Sequence, residues 1–436
     1  MMKNTYSEMK DSGVAWIGAI PTIWDTKHLF QLTIQVKNKN SALLEQNLLS
    51  LSYGKIKRKS IETTEGLLPA SFDNYNIVEK DDIVLRLTDL QNDHTSLRVG
   101  KVEEKGIITS AYVSVRPVLG VSKYIYYALH SFDLKKGFYG MGSGVRQGLN
   151  FTEAKMIRIP FPELPEQTAI AAYLDEKCGT IDEIIAEAKA SIEEYKAWKS
   201  SVIFEAVTKG LDLHAEMKDS GVEWIGKVPR EANIVRLRIF ISKIESGVSV
   251  NAGQEPAQAN EIGVLKTSSV SQYIFIPSEN KNVNKDELSR VSCPVKKNTL
   301  IVSRMNTPEL VGACGYVDDD YENLFLPDRL WQVHLNETCN TKFIWYYLRS
   351  NFVRNYYASL STGTSSSMQN ISQSQFSNVQ VVNHPYDMQK KIADYLDEKC
   401  AAIDGIIAEK EALIADMEAY KKSLIFETVT GKRKVC

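Results

Sequence analysis

Two stretches of this chain carry apolar residues at alternating steps of four and three. The first runs Leu174, Cys178, Ile181, Ile185, Ala188, Ile192, Tyr195, Lys199, Val202, apolar at eight of nine positions. The second runs Leu396, Cys400, Ile403, Ile407, Lys410, Ile414, Met417, Lys421, Leu424, apolar at seven of nine. A 3.5-residue period is the seam of a coiled coil. It predicts two long helices, in 161–212 and 387–436, each roughly 63 Å long at ~1.5 Å per residue. One apolar stripe must be buried, and the nearest partner is the matching stripe of the same chain. Each helix follows its own globular domain, so an antiparallel pair is expected. Lys199 and Lys421 fall on the seam, where they set register or reach past it to water.

Ahead of each helix the pattern is of short β-type runs. Ile83–Leu87 and Ile107–Val115 predict strands in the first domain, followed by an amphipathic helix over Ser122–Phe132. Asn298–Val302 and Leu330–Leu335 predict strands in the second, followed by a helix over Lys342–Asn351. Lys123-Tyr-Ile-Tyr-Tyr-Ala-Leu lines up with Lys342-Phe-Ile-Trp-Tyr-Tyr-Leu, which suggests a common fold for the two domains.

The chain also contains itself twice. Met9–Pro21 returns as Met217–Pro229 with 10 of 13 positions identical, and Gln167–Thr208 returns as Gln389–Thr430 with 25 of 42. The stretches between differ. The expected architecture is therefore α+β: two globular α/β domains, at 1–160 and 213–386, separated by two long antiparallel helices in a pseudo-two-fold repeat.

Charge follows the same division. Residues 27–160 hold 19 Lys/Arg against 13 Asp/Glu, and 233–384 hold 14 against 13. The helical blocks are acidic: 5 against 10 over 161–210 and 7 against 10 over 385–432. Such a chain offers a polyanion its domains and repels it from its helices. No apolar run reaches the ~18 residues of a membrane helix, and the first residues lack the core of a signal peptide. The six cysteines have no metal spacing, and Cys178 and Cys400 read as small buried hydrophobes on the seam. A cytoplasmic protein with reduced thiols is expected.

Candidate contacts to nucleic acid lie in loop-like segments. The first domain offers Lys55, Lys57, Arg58 and Lys59, then Arg86, then Ser143, Arg146 and Gln147 in a Gly-rich stretch. The second offers Lys266, Ser269 and Arg304, then Thr364, Ser365 and Gln369, with Gln369 aligned to Gln147. Small residues let backbone N–H groups approach phosphates, and Arg and Gln read base edges bidentately. Catalytic signals are missing. There is no G-x-x-x-x-G-K-[ST] loop and no nucleophile motif beside the scattered histidines. The acidic run Asp318–Glu322 reads as an exposed turn rather than a metal site.

Met9-Lys-Asp-Ser-Gly-Val-Ala-Trp-Ile-Gly-Ala-Ile-Pro with Trp24, and Ile159-Pro-Phe-Pro-Glu-Leu-Pro-Glu-Gln167 leading into Tyr173-Leu-Asp, resemble the specificity subunit of type I restriction-modification systems. The resemblance runs over essentially the whole chain and twice along it, although Ala232 replaces the second tryptophan. It implies two target recognition domains, each reading half of a split double-stranded DNA sequence. The helices would set the unread spacer and dock two methyltransferase subunits, with restriction/translocase subunits in the full complex. It implies no catalysis and no cofactor in this chain; S-adenosylmethionine, ATP and Mg²⁺ would serve the partner subunits. A coiled-coil adaptor whose unlike domains bind proteins is the competing expectation.

Overall fold

The computed structural model describes all residues except 1–4, 62–70, 91–92, 94–95, 142–147, 364–367 and 436. They group into two compact units: Met1–Lys189 with Glu411–Cys436, and Ala190–Lys410. Each unit therefore takes a part of both long helices.

In the first unit β1 (Thr33–Val36), β2 (Ile83–Leu85), β3 (Val99–Lys101) and β4 (Val113–Pro117) form a sheet in the order β1-β4-β2-β3. All three pairings are antiparallel, with Val115 opposite both Gln35 and Ile83. Every residue of β2 is buried, as expected of a central strand covered on both faces. Helix α1 (Ser122–Leu134) contributes Ile125, Ala128, Leu129 and Phe132 to the core with Leu29, Val99 and Ile159. The long helix α2 (Leu164–Lys209) has 46 residues.

In the second unit β5 (Ile241–Ser246), β6 (Leu300–Ser303), β7 (Cys314–Tyr316) and β8 (Leu330–Leu335) form a sheet in the order β5-β8-β6-β7, again antiparallel. First, fourth, second, third is the order in both units, so the two domains do share a fold. Helices α3 (Thr341–Leu348) and α4 (Asn351–Leu360) follow, then the long helix α5 (Tyr386–Val429).

Two expected elements are divided. The run Ile107–Val115 is not one strand. Gly106–Ile108 pairs with Asn76–Val78 outside the four-stranded sheet, and β4 starts afresh at Val113. Thr109 makes the break: its carbonyl accepts from Tyr112 N and its hydroxyl from Ala111 N, a side-chain-closed turn that no apolar pattern displays. Lys342–Asn351 is likewise not one helix. Ser350 is extended, and its hydroxyl donates back to the Tyr347 carbonyl at 2.7 Å.

Within each unit the long helices run antiparallel. In the first unit Lys421 donates to Asp182 Oδ1 at 2.6 Å. In the second Lys199 pairs with Asp404, and Lys410 lies over the Tyr195 ring at 5.7 Å. The two seam lysines thus find equivalent carboxylates on the facing helix and specify register. Leu174, Cys178, Ile181, Ile185 and Ile192 are buried, as are Leu396, Cys400 and Ile403; Ile407 and Ile414 are half-buried. The Cys178 thiol is pushed up to about 11, mainly by burial, which suits a packing residue and not a nucleophile.

The repeated sequence block has a definite structural task. Gln167 Oε1 accepts from Val121 N at 2.9 Å, at the start of α1, while its Nε2 donates to Pro162 O at 2.8 Å. Gln389 does the same with Asn340 N and His384 O, at 2.9 and 2.8 Å. Both glutamines are fully buried. About two helical turns later, Asp175 binds Lys123 and the Tyr127 hydroxyl, and Asp397 binds Lys342 and the Tyr346 hydroxyl. Each domain is clamped to its long helix by one buried amide and one carboxylate.

The repeated Met-Lys-Asp-Ser-Gly hairpins pack on helix C-termini. Gly431 ends α5 with φ +70°, and a Cβ there would stand 2.3 Å from Pro21 Cδ, so only glycine fits. The Ala232 segment packs differently from its counterpart around Trp24. Trp24 is buried and donates to Glu166 Oε2 at 2.8 Å, whereas Ala232 is accompanied by Met388 at the position matching Glu166. A polar pair in one repeat is an apolar pair in the other.

Candidate nucleic-acid interface

Three of the four clustered cations sit on a strand and not in a loop, and Lys59 follows it. Lys55–Arg58 is a strand paired with Leu49–Ser52, and Leu51 opposite Ile56 anchors it to a small cluster with Val78, Val84 and Ile108. Period-2 alternation was hidden because charged residues occupy three of its four positions. Lys55, Lys57, Arg58 and Lys59 are all exposed. Arg58 is held in a bidentate pair by Glu104, and Lys55 lies 3.7 Å from Asp182. Lys57 and Lys59 make no ion pair among the described residues, which leaves them as free cations on an exposed edge.

Three other candidates, Arg86, Arg304 and Gln369, lie at one corner of each sheet. Arg86 follows β2 and Arg304 follows β6, the equivalent strand. In the first unit the segment before the closing strand returns to that corner, Leu149 N donating to Leu87 O at 2.8 Å. In the second unit Met305–Asn306 pairs with Gln369–Asn370, and Arg304 O accepts from Ile371 N. Arg304 and Gln369, far apart in sequence, are thereby brought together, with Asn306 beside them. Ser143, Arg146, Gln147, Thr364 and Ser365 lie outside the described residues.

Arg86 is 3.5 Å from Asp93 and partly covered, and Lys266 is 3.8 Å from Glu279. Ser269 requires correction. It is fully buried on the inner side of the turn Thr267–Val270, packed with the core around Leu265 and Val270, and cannot meet a ligand. A short turn hides which of its residues point inward, so sequence alone does not separate Ser269 from Ser268. The acidic run is exposed at Asp318–Asp320, where Asp320 accepts from Lys297 N. Among the described residues no three His, Cys, Asp or Glu side chains gather to hold a metal. Nor is any helix among them long and apolar enough to cross a membrane.

One residue that organises the first corner has no sequence signal. Arg98 is fully buried and donates to the carbonyls of Arg86, Thr88, Asp89 and Asp93 and to the Tyr139 hydroxyl. Five acceptors around one guanidinium shape the loop after Arg86. Arginine is ordinarily read as surface, so its role emerges only from the packed chain. Position 313, its counterpart ahead of β7, is alanine, and the second corner is held by strand pairing instead.

Asp133 accepts from Arg98 N at 2.6 Å. Burial pushes its carboxyl up to about 6 against the pull of Arg98 and Lys136. Nearby His130 is pushed down to about 4, by burial first and Lys421 second. The folded state binds the Asp133 proton more tightly than the unfolded chain, so this group's contribution is lost as pH rises from 3.8 to about 6. His130 acts oppositely, since the fold keeps it neutral and loses stability as pH falls from 6.5 to about 4. Asp133→Asn is expected to gain about 2–3 kcal/mol relative to wild type between pH 4 and pH 7. Urea unfolding across that range checks it, and a difference independent of pH would contradict the assignment.

Residues 241–414 match the family described as type I restriction modification DNA specificity domain. The EcoKI type I restriction enzyme specificity subunit of Escherichia coli (strain K12) is 23% identical over 310 residues, 66% of this chain and 62% of that protein. The match therefore spans under two thirds of that relative's length. A putative type I restriction enzyme MjaX specificity subunit of Methanocaldococcus jannaschii is 25% identical over 317 residues, 72% of this chain and 68% of the relative. Among solved structures, a chain of a type I R-M system superposes with a TM-score of 0.68 at 12% identity, covering 94% of this chain and 98% of that one. The HsdS subunit from Thermoanaerobacter tengcongensis gives 0.50 at 12% identity, with the same coverages. At such identities these likenesses establish the fold.

Proposed function

We propose that this chain, similar in sequence and fold to the specificity subunits of type I restriction-modification systems, reads one half of a split, asymmetric DNA sequence with each unit. The observation that carries the reading is the doubled corner. The same sheet order presents Arg86 in one unit and Arg304 with Asn306 and Gln369 in the other, on identical Gln/Asp clamps. A common frame with different side chains at the reading edge suits two unlike half-sites. Arg and Gln or Asn are the side chains that read guanine and adenine edges, and Lys57 and Lys59 suit phosphates. The chain itself would be non-catalytic. Methyltransferase subunits docked on the long helices would supply the chemistry with S-adenosylmethionine, and restriction/translocase subunits would use ATP and Mg²⁺.

The test is binding by the chain assembled with its methyltransferase partner. Specific binding should weaken steeply with salt, and Lys57→Gln with Lys59→Gln should lower the slope of log K against log[salt] by about 2 without changing sequence preference. Absence of salt-sensitive DNA binding would favour the protein-binding adaptor. Adding one heptad to both helices between their seam lysines and their domains should change the tolerated spacer, as read from the positions of methylated adenines. A spacer left unchanged would end the ruler reading.

A further inference from the structure

The second unit holds a cleft of about 380 Å³ between its long-helix segments and the start of α4. Lys199, Arg349 and Arg354 line it, with Asp404 as the one carboxylate. Asp404 is occupied by Lys199. Neither arginine has a carboxylate within ion-pair distance among the described residues. Both lie over aromatic rings: Arg349 at 4.7 Å from the Trp345 centroid, and Arg354 at 4.4 Å from that of Tyr273. Arg354 spends one Nη on Asn351 at 3.3 Å, while its buried Nε has no hydrogen-bond partner. Ser350 precedes α4 but turns its hydroxyl to the Tyr347 carbonyl, so the first N–H groups of α4 receive no side-chain cap. Guanidiniums seated over aromatic rings, uncapped helix N–H groups and an orphaned buried donor together ask for an oxyanion.

We propose that this cleft binds a phosphate group, with Arg349 and Arg354 as its planar donors and the start of α4 as its backbone cradle. Guanidinium forks match phosphate oxygens bidentately, which a lone lysine does not. The phosphate would come either from a DNA backbone or from a free phosphate compound.

The repeat supplies an internal comparison. A cleft of about 430 Å³ occurs at the matching place in the first unit, with His130 where the second has Arg349. There every cation has a carboxylate partner: Lys55 and Lys421 share Asp182, Lys123 meets Asp175, and Lys101 meets Glu103. Burial also keeps His130 neutral at pH 7. The phosphate site therefore belongs to the second unit alone.

The experiment uses the full chain and two probes, inorganic phosphate and a short DNA duplex, with glutamate as a carboxylate control. Isothermal titration with phosphate should show one site in wild type. Arg349→Gln with Arg354→Gln should weaken it at least tenfold. Should that variant fold poorly, Asn351→Asp keeps the question decidable. A carboxylate in the first turn favours the helix, yet it should repel phosphate and lower the affinity severalfold. Displacement of phosphate by the duplex identifies a backbone site, and binding of phosphate without such displacement identifies a free compound. No phosphate binding by wild type, unchanged binding by Asn351→Asp, or equal binding of glutamate would each overturn the proposal. None of these outcomes depends on whether the assembled complex reads DNA sequence.

Discussion

Arg98→Met should cost the first unit about 3–5 kcal/mol, the largest loss expected from any single substitution in the corner. The side chain is fully buried, and its guanidinium satisfies four backbone carbonyls and one hydroxyl. Methionine fills much of the volume but takes one donor from each of those carbonyls. Asp93 N still serves Asp89 O and the Tyr139 hydroxyl still serves Asp93 O. The loss therefore falls mainly on the carbonyls of Arg86 and Thr88, at about 1–3 kcal/mol each before relaxation. It also removes the cation that opposes the raised Asp133 pKa. Arg98→Lys should recover only part, because one ammonium has three donors and cannot span the same arc of acceptors. Urea unfolding of the full chain measures both variants. A cost below about 1 kcal/mol for Arg98→Met would mean that the loop finds other partners, and that the guanidinium does not shape it. Because Arg86 leads into that loop, DNA reading by the first unit should fail before the fold does.

Gln167→Leu and Gln389→Leu should each cost about 2–4 kcal/mol, and each should impair one half-site only. Leucine is close in size, so packing survives. What is lost is a buried acceptor for the N–H that opens α1 or precedes α3, and a buried donor for a carbonyl at the start of the long helix. Of the two clamps, the domain would then keep only the one at Asp175 or Asp397. Binding of the assembled complex to duplexes altered in either half-site separates the two. Gln167→Leu should blunt discrimination in the half read by the first unit and leave the other sharp, and Gln389→Leu should do the reverse. Equal loss at both halves would refute independent readers.

The two glutamines and the arginine differ in how visible they are before folding. Gln167 and Gln389 stand out because they recur at the same place in both halves, although repetition does not say that they clamp a helix start. Arg98 is matched by an alanine in the other half and follows no pattern. It is a cation inside a core, the placement that residue type most rarely takes. The candidate site shows the same split. Lys57 and Lys59 are legible from charge density, but the cationic run is a strand edge, because Leu49–Ser52 pairs with it across a turn. Arg304 and Gln369 were separate suspicions until strand pairing put them together. Ser269 was indistinguishable from its neighbours, and the core took it.

Local pattern was enough for whatever depends on residues a few positions apart. The 3.5-residue seam dictates two long helices, the duplicated blocks dictate two like domains, and the seam lysines mark the register that Asp182 and Asp404 complete. The hydrophobic effect acts on each stripe directly, so periodicity reports it. Only the tertiary structure decided which carbonyls surround Arg98, which serine faces inward, and which cations keep a carboxylate and which do not. Those outcomes turn on hydrogen bonds and charges between residues tens to hundreds of positions apart, and their energies depend on burial that no single segment contains.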